Sequence, residues 1–205
     1  MADAWRVVRV ALRDLWRDLL TTVVCNLLWA VFSLLIITGP PATVALFYVA
    51  NRMAHGEPTD PGDFLRALRR YFGAGWRWGA VNAVLLFLLV GDIILTGRLS
   101  QSAAGHLAQG FFVAALAAWL VVQLYALPFL LEQEIPGVRQ ALRNGTVMLG
   151  ANASFSAALG VLLVLVLLAG TVFFFVSFAA GGVFVALVGN HAVVSRLSEA
   201  SVAIE

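Results

Sequence analysis

The apolar stretch from residue 153 to residue 194 restricts the fold of this chain more than any other feature. It holds forty-two residues and contains no Asp, Glu, Lys or Arg. As one α-helix, with a rise of about 1.5 Å per residue, it would be about 63 Å long, twice the hydrocarbon core of a bilayer. The stretch must therefore fold back on itself, and the segment between Gly170 and Gly182 is the expected place.

Further apolar runs precede this stretch, and together they indicate the class of the protein. Hydrophobic residues make up 61% of the 205 residues and charged residues 12%, against about 45–50% and about 25% in soluble domains. We predict an all-α membrane protein with a single domain over residues 1–205, in which three helical hairpins supply about six transmembrane arms. The predicted arms cover residues 21–38, 41–56, 77–97, 106–131, 153–173 and 177–194.

The sequence IITGPPATVALFY, residues 36–48, interrupts the first apolar run. Proline lacks an N–H group and disfavours helix in the residue before it, so Gly39, Pro40 and Pro41 are predicted to form the turn of the first hairpin. The second arm, residues 41–56, is short, because a helix of this length extends only about 24 Å. A re-entrant arm, which enters the membrane and returns to the same side, is the alternative.

Three segments, residues 3–19, 63–72 and 136–149, carry apolar residues and arginines on opposite sides at helical spacing. Each is predicted to form an amphipathic helix at the cytoplasmic interface, immediately before a hairpin. The basic side of the second segment consists of three arginines: Arg66, Arg69 and Arg70. These arginines are predicted either to anchor the helix on anionic lipid or to dock a protein partner.

The distribution of arginine predicts the orientation in the membrane. Twelve of the thirteen basic residues lie in segments that this arrangement places on the cytoplasmic side, and Arg98 lies in an outer loop. This bias predicts that both termini are cytoplasmic. We attribute the excess of basic over acidic residues to membrane orientation and not to nucleic-acid binding.

The tripeptide Ala-Leu-Arg occurs three times, once on each predicted amphipathic segment. It begins at equivalent alanines: Ala11, Ala67 and Ala141. A polar residue follows each alanine after fifteen positions: Asn26, Asn82 and Ser156. The pattern predicts three repeated units, each an amphipathic helix followed by a hairpin. The alternative is chance recurrence in a chain rich in Ala, Leu and Arg.

Polar residues inside the predicted arms are candidates for a polar path: Asn26, Asn82, Asp92, Gln123 and Asn190. Polar groups in lipid are costly and often functional, whereas the alternative is that they hydrogen-bond one helix to another. Asp92 is the only acid within a predicted arm. It is predicted either to form an outer-side substrate or proton site or to pair with Arg98.

The search for catalytic chemistry finds none of the motifs HExxH, GxSxG, GxxxxGK and GxGxxG. His55, His106 and His191 are scattered, and none has a partner at helical metal-ligand spacing. We therefore predict no catalytic residue, no metal site, no cofactor and no enzyme activity.

The segment NLLWAVFSLLIITGPPATVALFYVANRMAHGE, residues 26–57, resembles the signature of the YesL-like (DUF624) family of bacterial membrane proteins. In that family a first span ends in a Thr-x-Gly-Pro-type turn and continues into a helix rich in Ala and Tyr. The resemblance continues through Asp63, Phe64 and the basic helix, and it is weaker over residues 134–149. Two prolines stand here where the family pattern has a single Pro followed by Ala.

This family resemblance also implies a role, although the family has no established activity. Its genes commonly lie beside genes for carbohydrate uptake and degradation, which is an association and not a chemical argument. The resemblance implies a multi-pass protein of the bacterial cytoplasmic membrane, an accessory component of carbohydrate uptake whose partners are the lipid bilayer and ABC sugar permease subunits. The first alternative is a protein that binds or translocates a small solute, and the second is a membrane enzyme.

Overall fold

The computed structural model describes residues 2–99, 102–172 and 174–202, and these residues form nine α-helices and no strand. The predicted all-α class is therefore confirmed over this part of the chain. The helices are α1 (Ala2–Arg17), α2 (Leu19–Leu34), α3 (Gly39–Ala54), α4 (Pro61–Arg70), α5 (Phe72–Leu99), α6 (Ala103–Leu131), α7 (Val138–Ala151), α8 (Ala153–Val172) and α9 (Phe174–Val202).

The nine helices follow one another as three groups of three, α1–α3, α4–α6 and α7–α9. In each group the repeated alanine is buried on the first helix: Ala11, Ala67 and Ala141. The arginine two residues later is exposed in each group: Arg13, Arg69 and Arg143. The polar residue fifteen positions after the alanine is buried on the second helix: Asn26, Asn82 and Ser156. The burial pattern thus follows the repeat that the sequence predicts.

The third helices of the groups, α3, α6 and α9, pack against one another in the centre of the bundle. Close approach requires glycine there, because a Cβ atom at Gly189 would lie 2.5 Å from the carbonyl oxygen of Leu124 and 3.4 Å from the Phe47 ring. Gly189 therefore lets the backbone of α9 reach the backbone of α6.

The first helix of each group packs on the third helix of the preceding group. Helix α4 lies on α3, α7 lies on α6, and α1 lies on α9, which closes the arrangement into a ring. The apolar sides of these helices are therefore largely covered by protein, as the burial of Val8 and Phe64 shows. These sides were expected to face lipid, and Trp5 and Trp16, with 53% and 67% of their surface exposed, remain free to do so.

Within the part of the chain that the structure describes, three helical segments are long and apolar enough to cross a membrane: Phe72–Arg98, Ala103–Leu131 and Ala180–Glu199. Two bent pairs raise the number to five if each pair counts as one span: Asp3–Arg17 with Leu19–Leu34, and Val138–Ala151 with Ala153–Ala169. Long apolar helices of this kind are those of a membrane protein. The six arms stay a prediction.

Some boundaries differ from those predicted. Helix α5 begins at Phe72, five residues before the predicted arm, so the basic helix and the span meet at Tyr71. Helix α8 ends at Val172 and α9 begins at Phe174, within the interval where the long apolar stretch was expected to fold back. Residue 173 itself lies outside the described residues.

Candidate functional site

Two of the predicted polar-path residues, Asn82 on α5 and Gln123 on α6, lie together. The side-chain amide of Asn82 donates to Oε1 of Gln123 over 3.2 Å, and Nε1 of Trp78 donates to the same oxygen over 2.8 Å. Nε1 of Trp119 donates to Oδ1 of Asn82 over 3.1 Å. We call Trp78, Asn82, Trp119 and Gln123 the amide–tryptophan cluster. It joins α5 to α6, and its two tryptophans were not among the predicted site residues.

The other polar-path candidates lie apart from this cluster. Oδ1 of Asn26 accepts a hydrogen bond from the backbone N–H of Val183, which ties α2 to α9. Asn190 is fully buried, and its Nδ2 donates to the carbonyl oxygens of Phe47 and Ala186. Asp92 is half-buried on α5 and makes no ion pair with Arg98 or with any other residue that the structure describes. The five candidates therefore do not line one continuous path.

A second polar network, which the sequence analysis missed, surrounds Asn190 at the ends of α3 and α6. Nδ2 of Asn51 donates to Oδ1 of Asn190 over 2.9 Å and to Oε1 of Glu132 over 2.7 Å. Nε2 of His55 lies 3.5 Å from the same Glu132 oxygen. The network ties α3, α6 and α9 together where their chains meet.

Asp14 and His191 form a buried contact that closes the ring of helices. Nε2 of His191 lies 2.8 Å from Oδ2 of Asp14, and only 3% of the surface of Asp14 is exposed. Arg13 and Arg17 approach the other carboxylate oxygen at 3.3 and 3.8 Å. Because Asp14 lies on α1 and His191 on α9, the contact fastens the first group of helices to the last.

The basic helix α4 begins with a capping box, in which the side chain of Asp60 accepts a hydrogen bond from the backbone N–H of Gly62 and the side chain of Asp63 accepts one from the backbone N–H of Asp60. Nη2 of Arg66 lies 2.6 Å from Oδ1 of Asp63 and 3.0 Å from Oδ2 of Asp60. Nη1 of Arg52 reaches the same Asp63 oxygen over 2.6 Å. Burial disfavours the charge on Asp63, but the backbone N–H of Asp60 and the guanidinium groups outweigh it and hold the pKa of Asp63 below its ordinary value.

The three arginines predicted as one basic face therefore have different roles. Arg66 is held by carboxylates at the start of its own helix. The guanidinium of Arg70 lies 5.3 Å from the ring centre of Tyr71. Arg69 is exposed and makes no ion pair with a described residue. Of the three, Arg69 is the most available to an external partner.

The turn at Gly39, Pro40 and Pro41 packs against the start of α5. A Cβ atom at Gly75 would lie 2.7 Å from Cα of Pro41, and one at Gly79 would lie 2.5 Å from Cβ of Pro40. The two glycines therefore provide the space that the prolines occupy.

Trp76 fixes the same contact, since its Nε1 donates to the carbonyl oxygen of Ile37 over 2.8 Å. The predicted arms put the turn at Gly39 on the outer side of the membrane and the start of the span at residue 77 on the cytoplasmic side. A hydrocarbon core of about 30 Å cannot separate two groups that share a hydrogen bond. The structure therefore brings together two segments that the six predicted arms place on opposite sides of the membrane.

A cavity of about 860 Å³ lies between α6 and α8. Its lining is almost entirely apolar and includes Leu120, Val121, Ala157, Gly160 and Val164. Trp78 and Gln123 of the amide–tryptophan cluster contribute the polar part of the lining, together with Thr43 and Ser156. Nε2 of Gln123 is buried and has no hydrogen-bond partner among the described residues.

The described residues contain no group of three or more His, Cys, Asp or Glu side chains that could hold a metal ion. Asp14 with His191, and His55 with Glu132, remain pairs in separate contacts.

Comparison with known proteins gives one result. A family model described as "Protein of unknown function, DUF624" matches residues 22–93, from the first turn of α2 to the second half of α5. No curated protein matches the chain, and no solved structure matches it. The matched region contains the Gly-Pro-Pro turn and the basic helix, which are the features on which most of the resemblance was based. Residues 22–93 therefore match the DUF624 family, whose function is unknown, and the resemblance of the sequence to that family is confirmed over this region.

Proposed function

We propose that this protein is a multi-pass component of the bacterial cytoplasmic membrane that assists carbohydrate uptake by assembling with an ABC sugar permease, and that it does not itself conduct sugar. The observation that carries the proposal is that polar residues inside the bundle form hydrogen bonds between helices. Asn26 and Asn190, which could have lined a polar path, are engaged in hydrogen bonds between helices. A sugar needs hydrogen-bonding groups along its route, because each unpaired hydroxyl in an apolar setting costs several kcal/mol, about 4–8 on a water-to-hydrocarbon scale.

The character of the cavity supports the same choice. The space between α6 and α8 is lined by aliphatic side chains along most of its surface. Such a lining favours an apolar occupant and disfavours a sugar. An accessory role that leaves conduction to a partner is consistent with this chemistry.

The proposed topology places both termini in the cytoplasm and treats α2 and α3 as a hairpin that does not cross the membrane. The contact between Trp76 and Ile37 supports this arrangement, because it brings the tip of the hairpin to the level where α5 starts. Cysteines at Thr59 and Gly137 should be protected from a membrane-impermeant maleimide in intact cells, and one at Gly97 should react. The reverse labelling pattern would refute the orientation.

The proposed docking surface consists of the exposed arginines of the repeat on the second and third groups, Arg69 and Arg143. Each follows an alanine that is buried against the preceding group of helices, so the arginine points away from the bundle. A guanidinium can pair with a carboxylate through two parallel hydrogen bonds, which suits a protein partner. The competing explanation is attraction to anionic lipid, at about 1 kcal/mol per residue, for which any cation serves.

Substitution by lysine or glutamine separates these explanations. If the arginines dock a permease, R69K/R143K should reduce co-purification of the permease nearly as much as R69Q/R143Q, while membrane insertion stays normal. If lysine preserves co-purification and glutamine abolishes it, lipid attraction is sufficient and the docking surface is wrong. Arg98→Gln, at an exposed arginine on the opposite end of α5, is the matched control and should change neither measurement.

A small-solute binding or translocating protein is the second candidate, and the amide–tryptophan cluster favours it. Trp78 and Gln123 contribute to the lining of the cavity and could contact a solute there. A solute that binds this cluster should change tryptophan fluorescence in the purified protein, and the change should disappear in Trp78→Phe. A membrane enzyme remains the third candidate, and no arrangement of the described residues favours it.

A further inference from the structure

We propose that the groove between α6 and α8 binds the acyl chain of a bilayer phospholipid, with the ester carbonyl of that chain accepting a hydrogen bond from Gln123. This site goes beyond the proposed role in carbohydrate uptake and does not depend on it. Four observations on the described residues support it.

The first observation is a gap in the repeated packing. The second helix of each group should lie between the third helix of its own group and that of the preceding group. Helix α2 does so between α3 and α9, and α5 does so between α6 and α3. Helix α8 packs on α9 and α1, whereas within the described residues its backbone does not pack closely on that of α6, and a hydrogen bond of 3.0 Å from the Tyr125 hydroxyl to Oγ of Ser156 joins the two helices. The groove occupies the place where the third interface of this kind would be.

Glycine contacts show the same difference. At the closed interfaces a Cβ atom would clash, as at Gly182 on α9, where it would lie 2.5 Å from Oδ1 of Asn26. At Gly160 on α8 the nearest atom across the groove is Cγ2 of Val121, at 3.6 Å. The wall of the groove at Gly160 therefore has room that the other interfaces lack.

The second observation is the size of the groove. Its volume of about 860 Å³ falls in the range of about 300–1,000 Å³ that is typical of sites for small molecules. A transmembrane helix, about 10 Å wide and about 30 Å long, occupies more than about 2,000 Å³. The groove suits an extended chain of methylene groups better than a helix of a partner or of a second copy.

The third observation is that the groove continues into an exposed apolar surface. Leu120 on α6 is 56% exposed, and Val161 and Val164 on α8 are 60% and 54% exposed. All three line the groove. Because α6 is apolar and long enough to cross a membrane, the groove opens toward bilayer lipid, which is present in large excess.

The fourth observation is the unpaired N–H group of Gln123. Its Oε1 is occupied by Trp78 and Asn82, while Nε2 has no partner among the described residues. A buried unpaired donor costs about 1–3 kcal/mol. Trp78 lies beside Trp76 and Arg77, in the segment expected at a membrane interface, which is where lipid ester carbonyls lie. An ester carbonyl at this level supplies the missing acceptor.

The test is photo-crosslinking of the full chain in phosphatidylcholine vesicles that contain a small fraction of phosphatidylcholine with a diazirine in one acyl chain. After irradiation, mass spectrometry locates the adducts. We expect them to concentrate on residues 117–127 and 153–167, several-fold above the equally exposed apolar face of α5 between Val81 and Leu95. Adducts spread evenly over α5, α6 and α8 would refute the site, because they would indicate ordinary lipid contact.

Matched variants test the position of the lipid chain in the groove. Gly160→Phe places a ring in the groove and should reduce the adducts there several-fold, whereas Gly91→Phe, at a helical glycine with open space around it, should not. Unchanged adducts in Gly160→Phe would overturn the proposal. Should Gly160→Phe not fold, native mass spectrometry of the wild-type chain decides: one retained phospholipid per chain supports the site, and none contradicts it. Peptide crosslinks between two chains at the groove would identify a second copy as the occupant and refute the lipid.

Ether-linked phosphatidylcholine tests the hydrogen bond from Gln123. Its alkyl chain has the same length as the acyl chain but lacks the carbonyl, so groove adducts from a diazirine-bearing ether lipid should fall at least two-fold relative to the ester. Equal adduct yields would refute the assignment of Gln123. Free palmitic acid with a diazirine, added to unlabelled vesicles, should compete poorly with the phospholipid, and preferential labelling by the free acid would overturn the choice of ligand.

Discussion

Gly75 and Gly79 on α5 are predicted to be required for the Gly-Pro-Pro turn to pack against α5. The stability of variants at these two positions measures this requirement. A Cβ atom at Gly75 would lie 2.7 Å from Cα and 2.9 Å from the backbone nitrogen of Pro41. Ordinary contact begins near 3.4 Å, so Gly75→Ala forces the backbone of α3 and α5 apart by about 0.7 Å, a displacement that weakens the packing of both helices. Neither group can relieve the clash by rotating a side chain.

The expected magnitude follows from two opposing effects. Overpacking of a close contact costs about 1–3 kcal/mol, while replacing glycine by alanine in a helix interior gains about 1 kcal/mol. Gly91→Ala, with no atom within 4 Å of its Cβ, keeps the gain without the clash and is the control. The two variants should therefore differ by about 1–3 kcal/mol, which for a chain of this size corresponds to roughly 2–12 °C in thermal midpoint.

Thermal unfolding of the purified protein in detergent, followed by tryptophan fluorescence, measures this difference. Gly79→Ala should behave like Gly75→Ala, because its Cβ would lie 2.5 Å from Cβ of Pro40. In a Pro40→Gly background the cost of Gly79→Ala should largely disappear, since the clashing atoms are gone. If Gly75→Ala and Gly79→Ala are as stable as Gly91→Ala, the turn does not pack on α5 as described.

Three further predictions concern topology, pH and the contact between α1 and α9. A cysteine at Thr38 should escape an impermeant maleimide in intact cells while one at Gly97 reacts; reaction at both positions would show that the first hairpin crosses the membrane. The pKa of Asp63 in the folded chain is lowered from its ordinary 3.8. The stability that the charged Asp63 contributes to the folded chain is therefore complete above pH 3.8 and is lost as the pH falls through the lower folded value. The acid limb of a stability-against-pH curve should flatten in Asp63→Asn. Asp14→Ala removes one partner of a buried contact and should cost about 3–5 kcal/mol, whereas Asp14→Asn, which can still hydrogen-bond to His191, should lower the thermal midpoint by less than half as much; equal losses would contradict this account of the contact.

The helices and the repeat could be predicted from the sequence because their signals are local. Apolar runs, the prolines at residues 40 and 41, and the spacing of Ala11, Ala67 and Ala141 all lie within single elements, and the structure buries these alanines as the repeat requires. The ion pairs of Arg66 could also have been predicted. Asp63 precedes it by three positions on a helix, a spacing at which side chains meet, so its availability for docking was overestimated.

The contacts between distant segments could not be predicted in this way. Hydropathy indicates how long an apolar run is but not how deep its tip lies, so nothing in the sequence joins Trp76 to Ile37. Asp14 and His191 are separated by most of the chain and meet only because α1 closes the ring on α9. The polar-path residue Gln123 was identified by residue type, but nothing local in the sequence joins it to its tryptophan partner Trp78, which lies 45 residues away.

The most direct test of the proposed accessory role is a pull-down of the tagged full chain, solubilised in mild detergent from cells growing on a carbohydrate as the carbon source, with mass spectrometry of proteins and small molecules together. The account predicts that the membrane subunits of an ABC sugar importer co-purify with the chain, that no sugar is retained by the chain alone, and that deleting the gene lowers uptake of the corresponding sugar. Recovery of the chain without any transporter subunit but with a bound polar solute would contradict it and would favour the solute-binding alternative.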